Sequence, residues 1–269
     1  MSNKQVTEFY NNYNDKHIKD YLLENKRLSN AIKNLSTKIP KATQTLLDVG
    51  CGIGWSSHEF AKRFSKTEVI GVDLSPKLIG TAKKLFNRNN LEYRVQDVSE
   101  ELPKTNFDVM ILIDVYEHIS VEQRASFHNF IKDNIADNGK LLLACPSVHH
   151  QSWLRKNNPK GLQPIDEDIT IAELNKLAEY LQGELTYFDY QSIWRNCDYF
   201  HAAIQTKVNY STKKTSFLNN TIELENKYSR IKRVKQCLKH EFDIRPFKTK
   251  NNKILNKIFI KIIKAIPRK

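Results

Sequence analysis

Residues 45–57 have the sequence TLLDVGCGIGWSS, and the rest of the architecture follows from this stretch. Its first apolar residues, Leu46, Leu47 and Val49, predict a short buried strand. A helix is expected from Trp55 onward, and its first turn would offer free N–H groups and a positive dipole end to a carboxylate or phosphate. Three glycines at alternating positions separate the two elements and allow a sharp turn with close approach to a ligand. They are Gly50, Gly52 and Gly54.

A second strand is predicted over residues 67–74, TEVIGVDL, and it ends in an acid. Asp73 follows Gly50 by 23 residues. This is near the spacing of about 20 residues that separates the glycine turn from the ribose-binding acid in dinucleotide folds. A carboxylate there accepts two hydrogen bonds from a ribose diol. The alternative role is a helix N-cap, for which Ser75 is the better candidate because Pro76 follows it.

Two further strands complete the pattern. Residues 91–98, LEYRVQDV, end in an acid and an apolar residue, which suit the amino group and the ring of an adenine. The alternative is a solvated strand end. Residues 107–114, FDVMILID, are apolar almost throughout, which is typical of a parallel strand covered on both faces. The segment VYEHI then predicts the start of a helix.

In this order and spacing, LLDVGCGIG, GVDLS, QDV and FDVMILIDVYEHI resemble the class I S-adenosylmethionine-dependent methyltransferases over residues 10–205. The G-x-G-x-G spacing favours this family over nicotinamide enzymes, which more often have G-x-G-x-x-G. The resemblance implies S-adenosyl-L-methionine as cofactor, with its methionine end at the glycine turn. The residues predicted to bind it are Asp48, Gly50, Cys51, Gly52, Gly54, Trp55, Asp73, Leu74, Gln96, Asp97, Val98, Asp114 and Tyr116.

The alternation of strands and helices predicts an α/β fold. We expect a Rossmann-like, seven-stranded, mostly parallel sheet with helices on both faces. Residues 186–190 and 199–205 predict a closing antiparallel hairpin, and the resemblance implies the same reversed strand. The predicted domains are an N-terminal helical lid over residues 1–40, a core over 41–206 and a basic helical tail over 207–269. In the tail, 207–250 are expected to form a polar linker with one helix over 221–240.

The charge is concentrated in the tail. Residues 207–269 carry 18 Lys+Arg and 4 Asp+Glu, a net charge of +14, whereas residues 1–206 are close to neutral at −1. A neutral body argues against a surface that binds nucleic acid broadly. The chain has no apolar run of membrane-spanning length and no signal-peptide pattern, and its four cysteines lack disulfide or zinc spacing. We therefore expect a cytoplasmic protein.

The last 19 residues, 251–269, predict an amphipathic helix with a lysine-rich polar face. Its apolar stripe consists of Ile254, Leu255, Ile258, Phe259, Ile262, Ile263 and Ile266. Such a helix is typical of contact with an anionic membrane surface, here the inner face of the membrane. Docking on the body or on a second subunit is the alternative.

Methyl transfer to oxygen benefits from a base that removes a proton from the acceptor. The candidates are His118 after the fourth strand, and His149 with His150 after the fifth. His118 has an alternative role as a helix cap or cofactor contact. Glu117 beside it lacks a third metal ligand, so we expect no metal. The residues between Cys145 and Asp168 are expected to form a long polar loop that meets the acceptor.

The acceptor is less well specified. NPKGLQPIDEDIT and YQSIWRNCDYFHAA look similar to segments of small-molecule methyltransferases found with bacterial surface-glycan synthesis. The resemblance implies O-methylation of a small molecule or a glycan or sugar-nucleotide precursor. The alternatives are an RNA methyltransferase, an N-methyltransferase, or a non-catalytic module that acts through its tail. DVYE stands where base-amino methyltransferases have N/D-P-P-Y/F.

Overall fold

A computed structural model describes residues 11–97, 106–208 and 214–242. Seven strands form one sheet in the order β3-β2-β1-β4-β5-β7-β6. The strands are β1 (Thr45–Val49), β2 (Glu68–Asp73), β3 (Leu91–Val95), β4 (Phe107–Ile113), β5 (Ile135–Pro146), β6 (Gly183–Gln191) and β7 (Tyr199–Thr206). Strands β1 to β5 pair in parallel, and β7 is antiparallel to both β5 and β6. The predicted Rossmann-like sheet and its reversed hairpin are confirmed.

Eight α-helices lie in the described ranges and cover both faces of this sheet. They are α1 (Asn14–Leu23), α2 (Lys26–Ser36), α3 (Trp55–Arg63), α4 (Pro76–Leu85), α5 (Arg124–Asn134), α6 (Val148–Asn157), α7 (Ile171–Tyr180) and α8 (Lys227–Phe242). None of these helices is both long and apolar enough to cross a bilayer.

Strand β4 shows why a continuous apolar run is needed at the centre of the sheet. Successive side chains of a strand point to opposite faces. Val109 and Ile111 are buried with residues of α1 to α4 and α8, whereas Met110 and Leu112 are buried with residues of α5 and α7. Both faces of β4 are therefore covered, as its sequence predicted.

The N-terminal helical segment forms two helices rather than one. Glu24 has φ 54°, a left-handed conformation that ends α1. The side chain of Asn25 then caps α2 by accepting from the N–H groups of Arg27 and Leu28. The chain therefore bends over the carboxyl edge of the sheet, where ligands bind in open α/β folds. The lid role and the division into three domains stay predictions.

Two predicted elements differ in the structure. The long polar loop after Cys145 is wrong at its start, because α6 begins at Val148, where Ser147 Oγ accepts from the N–H of His150 at 3.2 Å. A serine is a typical N-cap residue, but Ser147 lies between Pro146 and a polar run, and the sequence predicts a loop there. The VYEHI segment forms only a short 3₁₀ turn, Tyr116–His118, and α5 begins later at Arg124.

The region expected to be a linker is packed on the body over residues 214–242. Helix α8 begins at Lys227, six residues later than predicted, and contacts α1 and α4. Ile222, Ile231 and Val234 are at most 4% exposed within the same apolar core as α1 to α4. The predicted amphipathic helix over residues 251–269 lies outside the described residues.

One carboxylate fixes this segment to the body. Oε2 of Glu225 accepts from the hydroxyl of Tyr21 at 2.8 Å, and Oε1 accepts from Nη2 of Arg233 and lies 3.5 Å from Nε2 of His58. We call Tyr21, His58, Glu225 and Arg233 the Glu225 cluster. Burial alone would raise the pKa of Glu225, but the hydrogen bonds from His58, Arg233 and Tyr21 together hold it well below its usual value. The cluster joins α1, α3 and α8.

Candidate functional site

A cavity of about 300 Å³ lies at the carboxyl edge of β1, β2 and β4, beneath α1 and α2. Its wall includes most of the residues predicted to bind a cofactor. Those on it are Asp48, Gly50, Cys51, Gly52, Trp55, Asp73, Leu74, Gln96, Asp97 and Asp114. The ends of the parallel strands thus bring together side chains that are far apart in sequence.

The turn after β1 requires glycine for reasons of both conformation and space. Gly50 and Gly52 have φ of 67° and 56°, which L side chains rarely adopt. A Cβ on Gly50 would lie 2.5 Å from Cγ2 of Val115. The turn therefore packs directly against the chain that leaves β4, and its backbone faces the cavity.

Gly54 plays a different part from the other two glycines. Its φ is 82° and it stands at the N-cap of α3. A Cβ there would lie 2.5 Å from the ring of Tyr93, whose hydroxyl donates to the Gly54 carbonyl at 2.8 Å. Gly54 is not on the cavity wall, so it shapes the turn from behind.

Asp73 has the surroundings expected of a ribose-binding acid. Its Oδ2 accepts from the N–H of Gly52 and its Oδ1 from the N–H of Ser75, both at 2.9 Å. Burial outweighs these two bonds and raises the pKa of Asp73 to about 6. Each oxygen keeps a lone pair for a hydroxyl donor. Ser75 caps α4 as predicted, accepting from the N–H of Leu78 at 3.1 Å.

Asp48 of β1 stabilises the glycine turn through hydrogen bonds to the start of α3. Its Oδ2 accepts from the hydroxyls of Ser56 and Ser57, each at 2.6 Å. Burial raises the pKa of Asp48 to about 6, and the two serine hydroxyls counter part of that effect. The carboxylate lies against the first turn of α3, so it sets the geometry of the turn that lines the cavity.

Asp114 stands at the end of the cavity beyond the glycine turn. It has φ 56°, and its Oδ2 lies 3.2 Å from Nε of Arg27. Burial raises the pKa of Asp114 despite the opposing charge of Arg27. Nη1 of Arg27 also donates to the hydroxyl of Tyr199 at 3.2 Å. Helix α2 is thereby tied to the ends of β4 and β7.

His118 is on the cavity wall, but the structure gives both of its ring nitrogens a partner. Nδ1 lies 2.7 Å from the Ile165 carbonyl and therefore donates to it. Nε2 lies 3.0 Å from the amide nitrogen of Gln163 and accepts from it. The ring thus holds residues 163–165 against the cavity, a positioning role that differs from the predicted base and from the alternative helix cap or cofactor contact.

Besides Gly54, three predicted site residues are not brought to the cavity. His149 and His150 lie on α6, with rings 5.8 Å from that of Tyr190 and 5.7 Å from that of Tyr199. Tyr116 is 1% exposed, with its hydroxyl 2.9 Å from Nε2 of His128. The 3₁₀ turn directs its side chain into the apolar core and away from the cavity. Val98 lies outside the described residues.

The predicted N-terminal lid did not single out the residue by which α1 reaches the site. His17 lines the cavity, and its Cε1 lies 3.6 Å from where a Cβ on Gly52 would be. Burial, with the charges of Lys16 and Arg27, lowers the pKa of His17 to about 4, so the ring is neutral at pH 7. A helix was predicted here, but which of its faces would meet the glycine turn depends on tertiary packing.

Among the described residues, no group of three His, Cys, Asp or Glu side chains is arranged to hold a metal ion. Glu117 is 1% exposed with Oε1 3.8 Å from Nε2 of His118. Burial raises the pKa of Glu117 to about 7 although His118 opposes the shift.

Comparisons with known proteins agree with this geometry. The family described as methyltransferase domain matches residues 46–139. Malonyl-[acyl-carrier protein] O-methyltransferase of Acetivibrio thermocellus is 25% identical over 111 residues, which are 41% of this chain and 39% of that protein. Phosphoethanolamine N-methyltransferase 1 of Triticum aestivum is 35% identical over 107 residues, 39% of this chain and 21% of that protein. The chain thus spans well under half the length of these two relatives.

A solved structure shares the fold over most of this chain. Magnesium protoporphyrin IX methyltransferase of Synechocystis PCC 6803, crystallised with bound SAH, superposes with a TM-score of 0.60 at 18% identity. The superposition covers 76% of this chain and 99% of the other. The family match thus identifies residues 46–139 as a methyltransferase domain, and the strand order and the glycine turn with Asp73 agree with the resemblance to class I S-adenosylmethionine-dependent methyltransferases.

Proposed function

We propose that this protein transfers a methyl group from S-adenosyl-L-methionine to an oxygen atom of a small molecule or of a glycan or sugar-nucleotide precursor. One observation carries the proposal: a single cavity is lined by the glycine turn and Asp73 and also by the polar side chains of His17, Arg27 and Asp114. The first set suits the methyl donor, and the second set offers polar groups to an acceptor.

The residues present fit the cofactor. Asp73 would hold the ribose diol with its remaining lone pairs, and Gln96 with Asp97 would lie beside the adenine. The backbone of Gly50 and Gly52 would face the methionine end. The cofactor supplies an activated methyl group when bound, so the protein must align the acceptor and exclude water. Helices α1 and α2 supply the cover that does this.

An oxygen acceptor also needs a proton acceptor, and His17 is the best placed group. Its pKa of about 4 leaves a nitrogen lone pair available at neutral pH, although so low a pKa also makes the ring a weak base. His118 is less suited because both of its nitrogens are already hydrogen-bonded. We therefore assign the role of base to His17 rather than to His118, His149 or His150.

The activity is tested by release of S-adenosylhomocysteine from the protein incubated with S-adenosylmethionine and a panel of hydroxyl, amine and RNA acceptors. We expect turnover with a hydroxylated small molecule or sugar nucleotide. Turnover with amines or RNA alone would overturn the O-methylation part. Cofactor binding without any turnover would favour the non-catalytic module.

His17→Asn tests the base, and His149→Asn is its matched control. General-base removal typically costs about a hundredfold or more in kcat. We expect that loss for His17→Asn with little change in S-adenosylhomocysteine affinity, and an unchanged rate for His149→Asn. Equal rates in the two variants would refute the assignment.

For the tail we propose contact with an anionic membrane from the cytoplasmic side. The amphipathic lysine-rich pattern of residues 251–269 supports this. Flotation with vesicles of phosphatidylglycerol and phosphatidylcholine, with and without those residues, tests it. Flotation that is the same for both chains would contradict the proposal.

A further inference from the structure

An exposed aromatic surface lies beside the cavity, on the loop between β6 and β7 and on the end of β6. Trp194 is 54% exposed and Tyr190 is 38% exposed. Trp153 of α6 meets the same loop, because its ring lies under the side chain of Arg195. We call Trp153, Tyr190, Trp194 and Arg195 the aromatic platform. Exposed clusters of large apolar side chains mark binding surfaces more often than chance.

The loop that carries the platform is rigidly held. The carboxylate of Asp198, a residue only 1% exposed, accepts from the N–H groups of Ile193, Trp194 and Arg195 at 2.8, 2.9 and 3.0 Å. Ser147 Oγ donates to the Cys197 carbonyl at 2.5 Å, which ties the loop to α6. The ring of Trp194 is therefore oriented before a ligand arrives, which lowers the entropy cost of binding.

Arg195 gives the platform its charge. Its guanidinium carbon lies 3.9 Å from the centroid of the Trp153 ring. Across the described ranges, it forms no ion pair with a carboxylate. A stacked guanidinium keeps its N–H edge for an anion, and phosphate oxygens match that edge. An uncharged sugar would leave this charge without a counter-ion.

The platform is connected to the acceptor end of the cavity. The rings of Trp194 and Tyr199 meet edge-on at 6.0 Å, and the Tyr199 hydroxyl accepts from Arg27, which lines the cavity. Tyr199 pairs with Pro146 at the end of β5, so this loop stands at the same edge of the sheet as the glycine turn. The platform and the cavity therefore stand at the same edge of the sheet and are joined through the contact between Tyr199 and Arg27.

From these contacts we infer that the aromatic platform binds the nucleoside diphosphate part of the acceptor, which deepens the proposed function and rests on it. The base stacks on the exposed face of Trp194, and the diphosphate pairs with Arg195. The glycosyl group then extends past Tyr199 toward Asp114 and His17.

The test measures binding without methyl transfer, by calorimetry and by quenching of tryptophan fluorescence with uridine 5′-diphosphate and thymidine 5′-diphosphate. Stacking of one base on an aromatic ring is typically worth about tenfold in affinity. We expect Trp194→Ala and Arg195→Gln each to weaken binding about tenfold or more and Trp194→Phe to retain most of it. Tyr228→Ala, at a residue 72% exposed on α8, is the matched control and should bind as the unaltered protein does.

Failure of this inference is separable from failure of the proposed function. If neither diphosphate binds, or if Trp194→Ala binds equally well, the platform is not a nucleotide site. Preferential binding of an uncharged oligosaccharide or of pyrophosphate alone would also overturn it. Retained S-adenosylhomocysteine affinity in Trp194→Ala shows that the variant is folded and that the cofactor site is intact.

Discussion

Buried carboxylates in two parts of this molecule behave in opposite ways. In the cavity, burial raises the pKa of Asp73 and Asp114 because their partners do not fully compensate the lost hydration. In the Glu225 cluster, three hydrogen-bond donors overcompensate that loss and lower the pKa of Glu225. The carboxylates of the cavity can still accept hydrogen bonds from a ligand, whereas the oxygens of Glu225 already accept from side chains that hold the helices together. In this pair of regions, the acids that can still accept hydrogen bonds line the cavity, and the acid whose oxygens are both paired holds helices together.

Asp73→Ala should produce the largest effect of the changes considered. It removes a carboxylate that would accept two hydrogen bonds from the ribose hydroxyls. Together these bonds are worth about 4 kcal/mol, or roughly a thousandfold in affinity. Calorimetry with S-adenosylhomocysteine measures it. Asp168→Ala, which removes an exposed partner of Arg155, is the control and should bind normally. Unchanged affinity in Asp73→Ala would show that the acid does not hold the ribose.

Glu225→Ala should act on stability instead of on binding chemistry. Removing one partner of a mostly buried ion pair costs about 3 kcal/mol, here because Arg233 loses its carboxylate. Urea unfolding measures the change, with the exposed neighbour Glu223→Ala as control. A free energy of unfolding equal to that of the control would mean that the cluster does not hold α8 in place.

Cofactor affinity should depend on pH through Asp73. Its pKa is about 6 in the folded protein against 3.8 ordinarily, so the folded state holds a proton between those values. Hydroxyl donors of the ribose favour the ionised form, and affinity should fall as the pH drops below 6, by up to about tenfold per unit. Calorimetry from pH 5 to 8 measures this. Asp73→Asn should give a flatter profile, and identical profiles would contradict the prediction.

The raised pKa of Asp73 affects the stability of the folded protein in the opposite direction to its effect on cofactor affinity. Because the folded state of a group with a raised pKa binds more protons than the unfolded state, the contribution of Asp73 to stability falls as the pH rises through 6. Glu225 has a lowered pKa, and its contribution is present above the ordinary glutamate pKa and is lost as the pH falls toward its folded value.

Tyr21→Phe should give the smallest change. It removes one hydroxyl that donates to Glu225 at 2.8 Å and leaves the ring in the core. A single hydrogen bond to a charged group is worth about 1.5 kcal/mol or less here, since Arg233 still satisfies the carboxylate. Thermal unfolding should therefore show a drop well below that of Glu225→Ala. A larger drop would mean that the ring itself is displaced.

The sequence was most informative where geometry is local. The glycine spacing, the apolar run of β4 and the acid that ends β2 predicted the sheet correctly, and they pointed to residues that the structure brings together on one cavity wall. Each depends on a few consecutive residues and on the rule that strand ends share one edge.

Prediction failed where a side chain had two possible surroundings. Tyr116 follows β4 directly, yet the 3₁₀ turn sends its ring into the core. His17 and Arg27 reach the cavity from helices whose predicted amphipathic pattern does not say which turn of the sheet they cover. Ile222 and Ile231 are spaced among so many polar residues that the sequence predicts a linker, although both side chains are buried.

The contact between Tyr21 and Glu225 spans 204 positions in the sequence. During synthesis, α1 leaves the ribosome 204 residues before the carboxylate that anchors it. Such long-range closure is slow to form compared with local contacts. We therefore expect a chain truncated before Glu225 to form the Rossmann-like sheet without this anchor for α1.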